Sequence, residues 1–240
     1  LFPYTTLFRS PQDVDDAPVT IDALPQVPAA QQGAASLADL DWLANQIKQA
    51  QLPVLLVGAR GSDDQTVAAL HSLLGDTPLP VVETFQGAGV ISHDLEPTTF
   101  FGRIGLFRNQ TGDKLLKQSD LVITVGYDAI EYEPRNWNKE NDLNIVALDT
   151  TPVQIDNNFV PKRQLVGNIA QSLDLLAERI KGYVLPEASQ SQLKALKKDL
   201  NDTDEPTYTP AEGNLNHPLN IIKALQARVT DDMTEIGRAH

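Results

Sequence analysis

Glycine gathers in this sequence where apolar runs end. Gly58 and Gly61 follow PVLLV, the tetrapeptide QGAG (Gln86 to Gly89) follows PLPVVETF, and Gly126 follows LVITV. Asp149 and Thr151 stand at the end of a fourth run, LNIVALDTT. Glycine lets a backbone approach a ligand closely and leaves amide N–H groups to bind phosphate. An aspartate at a strand end can hold a ribose hydroxyl. Together these types point to a dinucleotide crevice, but the spacing leaves a second reading open. GARG and QGAG are not GxGxxG, and no lysine follows as in a P-loop. The same glycines serve equally well to turn the chain between strand and helix, and Asp149 to cap the next segment.

Two further stretches mix charge with apolar residues. FGRIGLFRNQTGDKLL (101–116) holds two arginines, an asparagine and a glutamine, and GYDAIEYEPRNWN (126–138) places Glu131, Glu133, Arg135 and Trp137 on one loop. Loops of that length usually carry a function or an interface. Glu131 and Glu133 have the chemistry of an acid/base pair, although neighbouring carboxylates more often form a solvated face.

The elements that must position these residues alternate. Apolar residues at Leu40, Leu43, Ala44 and Ile47 predict a helix over 39–50. PVLLVGAR (53–60) predicts a strand buried on both faces, and 63–74 a helix with two aspartates near its positive end. Strands at 78–85, 121–127, 143–151 and 164–168 follow, with helices at 112–120 and 169–180. Beyond them lie a charged helix at 189–200, a polar linker and a helix at 217–229. Strands alternating with helices predict an α/β fold, a doubly wound parallel sheet, with extended flanking segments. Its ligands would bind beyond the carboxyl ends of the strands.

Composition narrows the function. The 240 residues carry a net charge of −13, with 41% hydrophobic and 21% charged residues, which is globular and argues against nucleic acid. The locally basic stretch KALKK (194–198) reads as a helix face. No run approaches the roughly 20 apolar residues of a membrane span. The absence of cysteine removes disulfides, thiolate metal sites and cysteine nucleophiles, and fits a cytoplasmic protein. The four histidines have no metal-ligand spacing.

The ends differ from the rest. LFPYTTLFRS (1–10) has neither strand nor helix periodicity and is no signal peptide. Reverse-translated, it and IGRAH at the other end resemble the two adapters of short-read DNA sequencing. The expectation is that residues 1–10 and 235–240 are such adapter sequence and that the protein proper runs from Pro11 to Thr234.

PQDV (11–14) with its Pro-rich connector, PVLLVG, ETFQGAGV, FGRIGLFRNQTGDKLL, SDLVITVGYDAIEYEPRNWN and NHPLNIIKALQARV together resemble thiamine-diphosphate-dependent acetolactate synthase, in its catabolic, FAD-independent branch. The resemblance covers 11–234. It implies the end of a pyrimidine-binding domain and a linker at 11–36, a Rossmann-like central domain at 37–182, a helix and linker at 183–216, and the start of a pyrophosphate-binding domain at 217–234. It implies an enzyme that joins two pyruvates into 2-acetolactate, with thiamine diphosphate and Mg2+ as cofactors, assembled as a homo-oligomer. The family's activating glutamate and its GDG…N motif have no counterpart here, so no catalytic or metal-binding residue is expected in this segment and the segment alone should be inactive. Gly58, Gln86, Gly87, Gly105, Asp149 and Thr151 would be remnants of a nucleotide pocket without flavin; the alternative for Gln86, with Phe107, is to border the active-site entrance of the intact enzyme. The alternatives are an FAD-binding central domain of the anabolic or pyruvate oxidase type, and a bare nucleotide-binding module.

Overall fold

The computed structural model describes residues 31–105, 110–204 and 218–226, with Asp16, Pro18 and Arg228 as isolated positions. The chain divides into two compact units, Leu1–Gln31 and Gln32–His240, and the fold below is that of the second. The adapter-like ends, most of the Pro-rich connector, the linker at 205–217 and Phe107 lie outside the described residues.

Helix α1 (Leu37–Gln49) begins where the Ser36 hydroxyl accepts the Asp39 N–H, and buries the predicted Leu40, Leu43, Ala44 and Ile47. Strand β1 (Pro53–Val57) is buried along its whole length. Helix α2 (Asp64–Asp76) is capped by Asp63, whose carboxylate accepts the Gln65 and Thr66 N–H groups at 3.1 Å. Strand β2 (Val81–Glu83), the short helix α3 (Glu96–Thr99) and strand β3 (Phe100–Arg103) lead to helix α4 (Thr111–Gln118). Strands β4 (Leu121–Val125), β5 (Ile145–Asp149) and β6 (Arg163–Val166) follow, then helices α5 (Ile169–Ile180), α6 (Glu187–Asp204) and α7 (Pro218–Gln226).

The six strands form one sheet, every pairing parallel, in the order β3-β2-β1-β4-β5-β6. This is the doubly wound arrangement expected, with one more strand. β3 escapes the pattern because FFGR is short, does not alternate, and contains Gly102 at φ +96° where the pairing with β2 is irregular. The strands also end two or three residues before the apolar runs do, because the chain turns at Gly58, Thr84 and Gly126.

Each central strand faces both ways, so the core has two halves. One face packs Leu55, Val57, Ile123, Val125, Val146 and Leu148 against α1, α2 and α5. The other packs Val54, Leu56, Val82, Val122 and Ile145 against Leu115 and Leu116 of α4 and Leu193 and Leu196 of α6. Helix α6 is thus part of this body: Ser189 donates to the Gln51 carbonyl at 2.7 Å, and Lys114 pairs with Asp199 at 2.6 Å.

An aromatic triad closes the second face at its carboxyl end. Tyr127, Trp137 and Phe159 are almost fully buried and meet edge to face at ring separations of 5.3 to 6.3 Å. The Tyr127 hydroxyl accepts from Trp137 Nε1 at 3.1 Å and donates to the Tyr132 carbonyl. Burial raises its pKa well above the ordinary tyrosine range. Because the folded value is the higher, the stability this phenol contributes is complete below about pH 10 and is lost as pH rises further. Tyr127→Phe takes away the acceptor of the buried Trp137 Nε1 and the donor to the Tyr132 carbonyl, and is expected to lower stability by about 2 kcal/mol. Denaturant unfolding checks the size, and the late-titrating phenolate should vanish from the alkaline absorbance curve.

Candidate functional site

The sheet order reverses between β1 and β4, and their carboxyl ends form the crevice in which such folds bind ligands. The chain turns tightly there. After β1 comes a 3₁₀ turn, Ala59–Gly61; after β4 comes Gly126 at φ +60°. The two turns are tied together: Gly58 N–H donates to the Val125 carbonyl and Arg60 N–H to the Gly126 carbonyl, both at 3.0 Å.

The candidate glycines are close to their own chain. A Cβ at Gly58 would lie 2.6 Å from Tyr127 Cα and 2.8 Å from Glu131 Oε1. One at Gly87 would lie 2.5 Å from the Val57 carbonyl oxygen and 3.3 Å from Gly58 Cα. Gly58 and Gly87 therefore sit side by side across β1 and β2. Gly105, at φ +107°, faces the Tyr132 ring. Gln86 and Thr151 are exposed on the loops after β2 and β5.

Glu131 occupies the crevice. The turn from Asp128 to Glu131, closed by Glu131 N–H donating to the Asp128 carbonyl at 3.0 Å, brings the side chain back over the strand ends. Its Oε1 accepts the N–H groups of Ala59 and Asp128, both at 3.0 Å, and its Oε2 accepts the Thr84 hydroxyl at 2.5 Å. One carboxylate thus collects donors from beyond β1, β4 and β2. Glu133 does not share this place. It is exposed and pairs with Arg135, so the two glutamates are not an acid/base pair.

Asp149 is occupied too. Its side chain is 2% exposed and is gripped by Arg60, with Nε at 2.9 Å and Nη2 at 2.7 Å from its oxygens. Arg60 also bonds Asp128 through Nη1 at 2.5 Å and the Tyr127 carbonyl through Nη2 at 3.0 Å. The hydrogen bond to Asp149 is the largest influence raising the Arg60 pKa. Asp128 is held below the usual carboxylate range, first by the Ile130 N–H that it accepts and then, against desolvation, by Arg60. Arg60 thereby covers the carboxylate that a ribose would need.

Glu83 anchors the QGAG loop from beneath. Only 1% exposed, it accepts the N–H groups of Gly89 and Ile91 and Arg103 Nε at 3.2 to 3.3 Å, and burial raises its pKa. Above this anchor Phe85 and Gln86 project outward, Phe85 at 57% exposed.

A shallow polar cavity of about 290 Å³ lies beside the crevice between Glu133, Arg135 and the 156–158 turn. A larger apolar one of about 530 Å³ opens at the other end of the sheet, between Pro78, Phe101, Tyr183 and Leu193. Among the described residues no three His, Cys, Asp or Glu groups converge as metal ligands, and no helix is long and apolar enough to cross a membrane. A flavin dinucleotide laid across these strand ends would meet donors that Glu131 and Asp149 already use.

Sequence reasoning found the glycines and Asp149 but missed Arg60, Thr84 and Asp128 as partners. Their contacts join residues 47 to 89 apart in the chain, and no local pattern encodes them.

The family model for the central domain of thiamine pyrophosphate enzymes matches residues 40–176. The chain is similar to acetolactate synthase of Bacillus subtilis (strain 168), 38% identical over 226 residues, covering 93% of this chain and 39% of that protein. It is also similar to the catabolic acetolactate synthase of Raoultella terrigena, 34% identical, covering 99% and 43%. The chain therefore spans about two fifths of the length of these relatives. A solved structure described as a thiamin diphosphate-dependent enzyme from Mycobacterium smegmatis superposes with a TM-score of 0.52 at 20% identity, over 69% of this chain and 32% of that one. That last likeness bears on the fold.

Proposed function

The chain belongs to the thiamine pyrophosphate enzymes through their central domain, and on that footing we propose that it is the scaffold domain of a catabolic acetolactate synthase, which condenses two pyruvates to 2-acetolactate and carbon dioxide. The observation that carries this reading is the similarity to two acetolactate synthases over more than nine tenths of the chain. More remote relatives, such as the glyoxylate carboligase of Escherichia coli O157:H7, match about 60% of it at 28% identity.

In this reading thiamine diphosphate, held with Mg2+ by the flanking domains, supplies the carbanion chemistry. The residues described here take no covalent step. They fix the separation of the flanking domains and present Phe85 and Gln86 on a loop clamped by Glu83. A cytoplasmic homo-oligomer is part of the same proposal, resting on the family resemblance and the cysteine-free composition.

The branch is FAD-independent. Two arrangements support this: Glu131 on the donors at the strand ends, and Arg60 on Asp149. Gly58, Gln86, Gly87, Gly105, Asp149 and Thr151 are then a vestigial nucleotide pocket. Its glycines serve the close packing of the chain on itself.

A chimera tests the assignment. Residues 11–234 replace the matching part of the Bacillus subtilis enzyme, and the folded product is assayed with pyruvate, thiamine diphosphate and Mg2+. Acetolactate should form at a rate indifferent to added FAD. A folded chimera inert on pyruvate but active on another 2-oxo acid overturns the substrate assignment.

A further inference from the structure

We propose that the crevice between β1 and β4 is an oxyanion-binding site whose resident ligand is the protein's own Glu131, a tethered carboxylate standing where an external carboxylate or phosphate would sit. Three donors converge on this side chain from three different strand ends: Ala59 N–H, Asp128 N–H and the Thr84 hydroxyl. Converging backbone N–H groups in turns at a topological switch point are the arrangement by which α/β folds hold phosphate.

The local backbone is shaped for the carboxylate. Gly58 has no Cβ where one would stand 2.8 Å from Glu131 Oε1, so no other residue lets the oxygen reach the amides unhindered. Asp128 stiffens the turn that delivers it, accepting the Ile130 N–H at 3.0 Å. Ile130 at the tip is 85% exposed, so the tip itself is not packed down by apolar contact. The carboxylate on its donors and the Arg60–Asp128 pair hold the loop over the crevice, beside the Tyr127–Tyr132 hydrogen bond and the half-buried Ala129 and Tyr132. A free anion must compete with an intramolecular one present at high effective concentration. The natural chain therefore leaves small anions unbound, and the same chain without the carboxylate takes them.

This inference rests on the closed-crevice part of the proposal above and not on the carboligase assignment. A chimera inert toward pyruvate leaves it standing, and its own failure leaves the carboligase reading standing.

The test uses the full 240-residue chain, as the natural sequence and as Glu131→Ala, melted with and without sodium formate or inorganic phosphate, against chloride at equal ionic strength. The variant should melt roughly 5 °C lower, the scale of a loss of about 2 kcal/mol in a domain of this size. Formate or phosphate at about a hundred times its dissociation constant should recover about half of that or more, while the natural chain does not respond. A variant that melts like the natural chain, one rescued by neither anion, or a natural chain stabilised equally by them overturns the proposal. Should the variant not fold, amide exchange in the natural chain decides. Ala59 and Asp128 should exchange at least about a hundredfold slower than free loop amides, and unprotected exchange at both overturns it.

Discussion

Arg60→Met is expected to lower the stability of this chain by about 3 kcal/mol, read as a lower denaturant midpoint at unchanged slope. The cause is the carboxylate left behind. Asp149 has a 2% exposed side chain, and among the described residues the donors left to it without the guanidinium are the Thr150 N–H at 2.7 Å and the more distant Thr150 hydroxyl. Breaking a buried pair by removing one partner costs about 3–5 kcal/mol, and the low end applies because water reaches Arg60, itself 34% exposed. The same argument says how to relieve the loss. Asp149→Asn removes the charge, so the double variant should be more stable than the sum of the single losses predicts, by about 1.5 kcal/mol or more. Strict additivity would mean that Arg60 acts through its aliphatic stem or Asp128 and not through Asp149.

Gly126→Ala should do comparable or greater damage, about 3–5 kcal/mol, from overpacking combined with a left-handed backbone. Gly126 adopts φ +60°, and a Cβ there would lie 2.2 Å from the Gly61 nitrogen and 2.4 Å from the Arg60 carbonyl carbon. The atoms it meets are backbone and cannot rotate aside. Relief requires the β1 turn to move, and that turn carries both Arg60 and the Ala59 N–H that Glu131 uses. Thermal unfolding measures the loss. Gly75→Ala is the comparison, since nothing lies within 4 Å of a Cβ there and the helix tolerates it.

These two positions show what a linear reading of the chain reaches. The glycines stand out in the sequence because they punctuate apolar runs, and β1, β4 and β5 are legible because strands covered on both faces are uninterrupted Val, Ile and Leu. Helix α5 is legible over its full length, because its apolar spacing is regular, and the Asn168 side chain caps its start by accepting the Gln171 N–H. Strand β3 is not legible, since four residues with an internal glycine carry no periodicity. The purpose of the glycines is not legible either. Whether a glycine admits a ligand or the chain itself depends on what lies across from it. At Gly58 that is Glu131, 73 positions on by sequence number. Glu131 and Glu133 differ by two positions yet diverge completely, one turned onto the strand ends and the other onto Arg135 in the open. Asp149 is conspicuous at the end of β5, but its pairing with Arg60 spans 89 positions and is visible only once β1 and β5 share a sheet.

In the proposed reading, Glu131 and Arg60 fill the crevice beyond β1 and β4 that a dinucleotide would otherwise enter. Titrating the full chain into FAD and following flavin fluorescence tests it most directly. Fluorescence should stay unchanged through the micromolar range, whereas saturable quenching with micromolar affinity would mean that a flavin displaces Glu131 from Ala59 and Asp128 or Arg60 from Asp149 and would overturn the closed crevice.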